Sequence, residues 1–115
     1  MEFDARTRAI STEMKRMRQT QPVVMSAFSS LASAGTADGA LSRKTRELIA
    51  LGIAIAGRCD DCIGFHVKAL VKLGATREEL EDVVGTAVYM GGGPSMMYGM
   101  HVMMALDEFT AKDSE

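Results

Sequence analysis

Residues 48–57 read Leu-Ile-Ala-Leu-Gly-Ile-Ala-Ile-Ala-Gly, an unbroken run without a polar side chain. As a helix this run is apolar on every side, and such a helix belongs at the centre of a bundle or of an assembly, not on a surface. The run is also too short for a membrane, where a spanning helix needs about 20 apolar residues. The N-terminal MEFDARTRAI contains no apolar signal-like stretch, so neither insertion nor export is expected. The 115 residues amount to a single domain, and 47% apolar against 24% charged residues is enough to close a core. A chain of this size buries only part of its apolar surface by itself, so partner subunits are expected.

Periodicity along the chain is helical, and no alternating β-branched run argues for a sheet. The expectation is an all-α bundle of about six helices in one domain, 1–115, with N-terminal helices over 1–34 and a core over 41–110. The first helix runs from Asp4 to about Thr20 with a narrow apolar stripe of Ile10, Met14 and Met17. Pro22 suits the first turn of a second helix reaching about Ser33, and Gly35–Ala40 reads as a loop. Ser42 caps a third helix that contains the apolar run. The fourth starts near Cys59 or Asp60 and stops at Gly74, and Thr76 with Glu79 forms a capping box opening a fifth helix to about Met90. Gly91–Pro94 reads as a hard break before a last helix from about Ser95 to Ala111.

Thirteen basic and 15 acidic residues leave a net charge of −2, which offers no field for a polyanion, so nucleic acid is not an expected partner. Two cysteines spaced by two residues point to redox or metal chemistry in a reducing compartment, which makes the cytoplasm the expected location. Cys59, Cys62 and His66 stand at i, i+3 and i+7, within about 60° of one another on a helix surface. Cys62 and His66 touch at i, i+4, so the imidazole can take that thiol's proton and Cys62 is the candidate nucleophile. Cys59, at the helix start, gains thiolate character from unpaired N–H groups and can close a disulfide with Cys62. If the third and fourth helices form an antiparallel hairpin, Glu47 lies within about 4.5 Å of His66 along the axes and can orient it or relay a proton to it.

These residues carry a resemblance. Glu47, Cys59, Cys62 and His66 in the pattern E-x11-C-x2-C-x3-H, flanked by Leu41–Leu48, Gly74–Leu80 and Gly91–Pro94, resemble the carboxymuconolactone decarboxylase and alkylhydroperoxidase D superfamily. The resemblance implies an alkylhydroperoxidase D-like helical fold, a trimer or hexamer and, for members with both cysteines, a peroxidase or disulfide reductase cycle. In that cycle the cysteine matching Cys62 reduces a hydroperoxide, the one matching Cys59 resolves it, and His66 and Glu47 match the proton relay. The substrate is then a hydroperoxide or a disulfide, the reductant an external dithiol or protein, and no cofactor or metal is called for. One departure is Asp61, where the family's peroxidase has histidine; an acid there tends to raise thiol pKa and to weaken or redirect the activity.

Two other readings remain open. The first is a lactone decarboxylase using His66 and Glu47 as acid and base, although the family's decarboxylases generally lack the cysteine pair. The second is a non-enzymatic redox module or a zinc site of Cys59, Cys62, His66 and either Glu47 or His101. His101 and Tyr98 on the last helix, with Asp61, are candidates for a substrate pocket. Asp60 reads as a helix N-terminal acid. Six of the ten methionines fall between Met90 and Met104, and core or subunit packing accounts for them better than a substrate cleft.

Overall fold

The computed structural model describes residues 2–113 as six helices: α1 (Phe3–Thr20), α2 (Pro22–Gly35), α3 (Arg43–Ala56), α4 (Asp60–Lys72), α5 (Arg77–Gly91) and α6 (Gly93–Asp113). Among these residues there is no strand, and no helix is long and apolar enough to cross a membrane.

The ends of these helices follow local chemistry. Ser42 accepts the N–H of Thr45 at the start of α3. Both arms of the Thr76–Glu79 capping box are formed at the start of α5. Pro22 opens α2, and Gly74 (φ 77°) follows the end of α4. The break before the last helix is narrower than Gly91–Pro94 suggested. Gly91 still belongs to α5, only Gly92 leaves helical geometry (φ 71°, ψ −150°), and Gly93 and Pro94 already form the first turn of α6. Proline lacks an N–H that the first turn would leave unpaired anyway, so it starts the helix instead of preventing it. Likewise α2 runs through to Gly35.

The core is built by α3, α4, α5 and α6. Leu51 and Ile55 of α3, Ile63, Val67 and Leu70 of α4, Leu80 of α5 and Val102 and Ala105 of α6 are fully buried. The apolar run of α3 is central on one face only: Ile49 and Ile53 on its other face stand open, Ile53 at 67% exposure. Of the core or subunit packing expected for the methionines, the core of one chain accounts for little on α6. Met96, Met97, Met100 and Met104 are all exposed on α6, and only Met103 packs against the core.

Helix α1 docks through the N-terminal end of the face that carries its apolar stripe, since positions 3, 7, 10, 14 and 17 fall within about 80° of one another around the helix. Phe3 and Thr7 are buried, while Ile10 and Met14 are half-buried and Met17 is exposed. The reason lies at Gly64 of α4, where an added Cβ would stand 3.0 Å from Thr7 Cγ2 and 3.4 Å from Phe3 Cδ1. Without a side chain at 64, the first turns of α1 settle directly on the α4 backbone. Glu108 of α6 completes the dock, its carboxylate accepting the Phe3 N–H at 3.1 Å and the Asp4 N–H at 3.0 Å. A carboxylate there satisfies two of the unpaired amides at the α1 N-terminus.

Between α3 and α5, Lys44 Nζ meets Glu79 Oε2 at 2.8 Å, and Glu79 also accepts the Thr76 N–H. The lysine first, and the backbone bond second, hold the Glu79 carboxyl below its ordinary range. A carboxyl whose pKa is lower folded than unfolded stabilises the fold above the unfolded value, and this contribution is lost as pH falls through the folded value. Glu79→Gln should therefore lower the melting temperature at neutral pH, and the gap to the wild type should narrow as the pH falls through the folded-state value of this carboxyl. Thermal melts along an acid pH series check this.

Candidate functional site

The turn from α3 to α4 is three residues long, Gly57 to Cys59, and it folds the two helices onto each other as a hairpin. Arg58 adopts φ 56°, and the N–H of Cys59 returns to the carbonyl of Ala54 at 3.1 Å, closing the end of α3. This places Cys59 at the N-cap of α4, where its Sγ accepts the Cys62 N–H at 3.1 Å. Sulfur thus fills the position that a serine or aspartate oxygen usually takes. The two cysteines are joined in a disulfide, with Cα atoms 5.2 Å apart.

About two and a half turns back from the end of α3 lies Glu47. It is 5% exposed, and its Oε2 stands 2.6 Å from Nδ1 of His66 on α4. The contact is direct and needs no bridging water. A buried carboxylate must be paired to be tolerated, and this partner is the one the hairpin register selects. Bonded this way, the neutral imidazole carries its proton on Nδ1 and keeps the lone pair of Nε2 for a proton from a neighbour. The hairpin thus carries two of the expected pairings, Glu47 with His66 and Cys59 with Cys62.

A second histidine–carboxylate pair involves α4 as well. Nδ1 of His101 on α6 is 2.6 Å from Oδ1 of Asp60, the residue between Cys59 and Asp61. The His101 ring packs edge-on to Tyr98 at 5.3 Å between centroids and tilts against Phe3 at 6.4 Å. Asp60 is thus more than a helix N-terminal acid: it ties the start of α4 to α6. The third pocket candidate, Asp61, faces α1, where Nε of Arg6 donates to its Oδ1 at 2.9 Å. Neither the Asp60 nor the Arg6 partnership had a signal in the sequence, because the partners lie 41 and 55 residues apart and no local spacing links them.

Among the described residues, no group of three or more His, Cys, Asp or Glu side chains is arranged to hold a metal ion. An apolar groove of about 820 Å³ lies elsewhere, between α3 and α5, and is lined by Leu48, Ile49, Ile53, Val83, Ala87 and Met90 among others. None of Cys59, Cys62, His66, His101 or Tyr98 lines it.

Fold and site together define a helical protein that carries a disulfide and a histidine–carboxylate pair on one hairpin. Residues 22–105 match the carboxymuconolactone decarboxylase family, and the chain belongs to that family. A Cupriavidus necator protein is 38% identical over 113 residues, covering 96% of this chain and all of that one. A Paracoccus denitrificans protein from the cox locus is 35% identical over 82 residues, covering 71% and 74% of the two chains. Among solved structures, a carboxymuconolactone decarboxylase family protein from Legionella pneumophila superposes with a TM-score of 0.91 at 53% identity, covering 93% of this chain and 96% of that one. A Thermotoga maritima family member, described as a candidate for involvement in an antioxidative response, gives a TM-score of 0.84 at 27% identity, covering 95% and 93%.

The Glu47 contact fixes the His66 tautomer, which can be read directly. Nitrogen-detected NMR of the ring should show His66 protonated at Nδ1 near neutral pH, and Glu47→Ala should move the population toward the Nε2-protonated form. An unchanged tautomer in the variant would mean that the carboxylate does not orient the ring.

Proposed function

We propose that this protein is a thiol-dependent oxidoreductase with alkylhydroperoxidase-like activity, and that Cys62, Cys59, His66 and Glu47 carry it. The observation that bears most weight is the Glu47–His66 pair in register with the Cys59–Cys62 disulfide. The description of the Thermotoga maritima relative points the same way.

Cys62 gives its proton to Nε2 of His66 and attacks the terminal peroxide oxygen. An S–O bond forms, the O–O bond breaks, and the departing alkoxide takes the proton from His66, leaving Cys62 as a sulfenic acid. The Cys59 thiolate, favoured by the Cys62 N–H on its sulfur, then attacks the Cys62 sulfur. The S–S bond forms and the S–O bond breaks, and hydroxide leaves as water with the proton that Cys59 gave up. An external dithiol or protein reductant supplies two electrons and two protons to restore the thiols. The need for such a reductant favours a reducing compartment, the cytoplasm. Glu47 keeps the imidazole in the correct tautomer and stabilises its charged form.

Hydroperoxide consumption with a dithiol reductant tests the cycle. Cys62→Ser should abolish turnover, Cys59→Ser should stop after a single sulfenic acid equivalent, and Glu47→Gln should slow the reaction by about 100-fold. No peroxide consumption by the wild type would overturn the peroxidase reading, and lactone turnover that survives Cys62→Ser would favour decarboxylation.

The working form is proposed to be a homo-oligomer, a trimer or hexamer, in which α2 of one copy lies in the α3/α5 groove of another. Helix α2 has no buried residue and no charged side chain, with Val23 at 80% and Phe28 at 63% exposure, and a 14-residue helix is marginal in water without a partner. The groove offers an apolar surface of matching character on the same chain. Light scattering should give a multiple of the protomer mass for the wild type, and Phe28→Glu or Ile53→Glu should each reduce it. A monomeric wild type would exclude the assembly.

A further inference from the structure

Asp61 lies between the two cysteines and, standing alone, would oppose formation of a thiolate at Cys62. In the folded chain it does not stand alone. Arg6 of α1 donates from Nε to Asp61 Oδ1 at 2.9 Å. Helix α1 precedes residues 22–105, so this cation comes from outside the segment that matches the family.

The placement of Arg6 is built into the fold. Phe3 and Thr7 are buried against α4 at Gly64, and Glu108 holds the Phe3 and Asp4 N–H groups, so the first two turns of α1 are fixed in depth and rotation. Arg6 lies between those anchors, and its guanidinium meets the acid one residue before the nucleophile. The guanidinium pKa is raised, first by the bond to Asp61, next by the charge of Asp61, and to a lesser degree by that of Asp60. Both partners are substantially exposed, 51% for the arginine side chain and 38% for the aspartate, so as a stability device the pair counts for little.

Other charged groups packed around α4 have partners of their own. From α3, Glu47 is held by His66; from α6, His101 is held by Asp60, and Glu108 faces the α1 amides. Arg58 is exposed in the turn. Of the two acids in the first turn of α4, Asp60 is thus held by α6 and Asp61 by α1.

We propose that Arg6 is a positioning residue of the redox site: by holding Asp61 it cancels the negative charge beside Cys62, and so keeps the thiol acidic enough to react where a bare aspartate would suppress it. The proposal rests on the thiol reading given above, but it concerns the acidity of Cys62 and not the identity of the oxidant. An opposite charge nearby favours the ionised thiol and a like charge disfavours it, so removing either member of the pair moves the thiol in a definite direction.

The test is the pH dependence of iodoacetamide alkylation of Cys62 in the reduced full-length protein, on a Cys59→Ser background so that one thiol is followed. Arg6→Gln should raise the apparent thiol pKa and slow alkylation at neutral pH by about three- to tenfold, and Arg6→Lys should retain most of the rate. Asp61→Asn should do the reverse, lowering the pKa and quickening alkylation, and the double variant should return close to the starting value. A merely structural pair would give a different pattern, since both single substitutions break the same contact and would shift the thiol the same way. That outcome, or an unchanged rate in Arg6→Gln, would overturn the proposal. Because no peroxide enters the assay, failure of the peroxidase reading leaves this result interpretable.

Discussion

The hydrogen bond between Glu47 and His66 is the interaction on which the arrangement of this protein turns. A carboxylate buried between helices is tolerated only with a partner, and the partner available is an imidazole one hairpin away. That requirement fixes the register of α3 against α4, and the register in turn sets the cysteine turn relative to the base. Leu51, Ile55, Ile63 and Val67 supply the apolar packing around the same hairpin, so the polar contact specifies what the hydrophobic contacts stabilise.

Three charge pairs tie α4 of that hairpin to its neighbours. His66 has Glu47, His101 has Asp60, and Arg6 has Asp61, each pair joining α4 to a different neighbour: α3, α6 and α1. The first turn of α4 is therefore tied to α6 and α1, and its middle to α3. The two histidine side chains remain partly open to solvent, at 31% and 28% exposure.

The apolar surface left open carries a separate message. The α3/α5 groove, which neither cysteine lines, the bare α2 and the exposed methionines of α6 are all open apolar surface. Their residues are those that a buried role would have claimed on composition alone. A chain of 115 residues with four core helices has too few other elements to cover both sides of α3, and the uncovered side is where assembly is proposed.

The sequence by itself determined most of the local architecture. Ser42, Thr76, Pro22 and Gly74 announce helix ends because caps act over three or four residues, and Cys59, Cys62 and His66 align because helical spacing alone puts them on one face. Even Glu47 was legible, since a three-residue turn leaves little freedom in the hairpin. What only the tertiary structure decided are the contacts between distant elements. It settled that burial along the apolar face of α1 is deepest at Phe3 and Thr7 and fades through Ile10 and Met14 to Met17, because the absent side chain of Gly64 lets the backbones approach at that end. It also paired Asp60 with His101 and Asp61 with Arg6. Side chains separated by 41 and 55 residues meet through the packing of whole helices, and packing depends on which surfaces fit together in three dimensions, which no local period encodes.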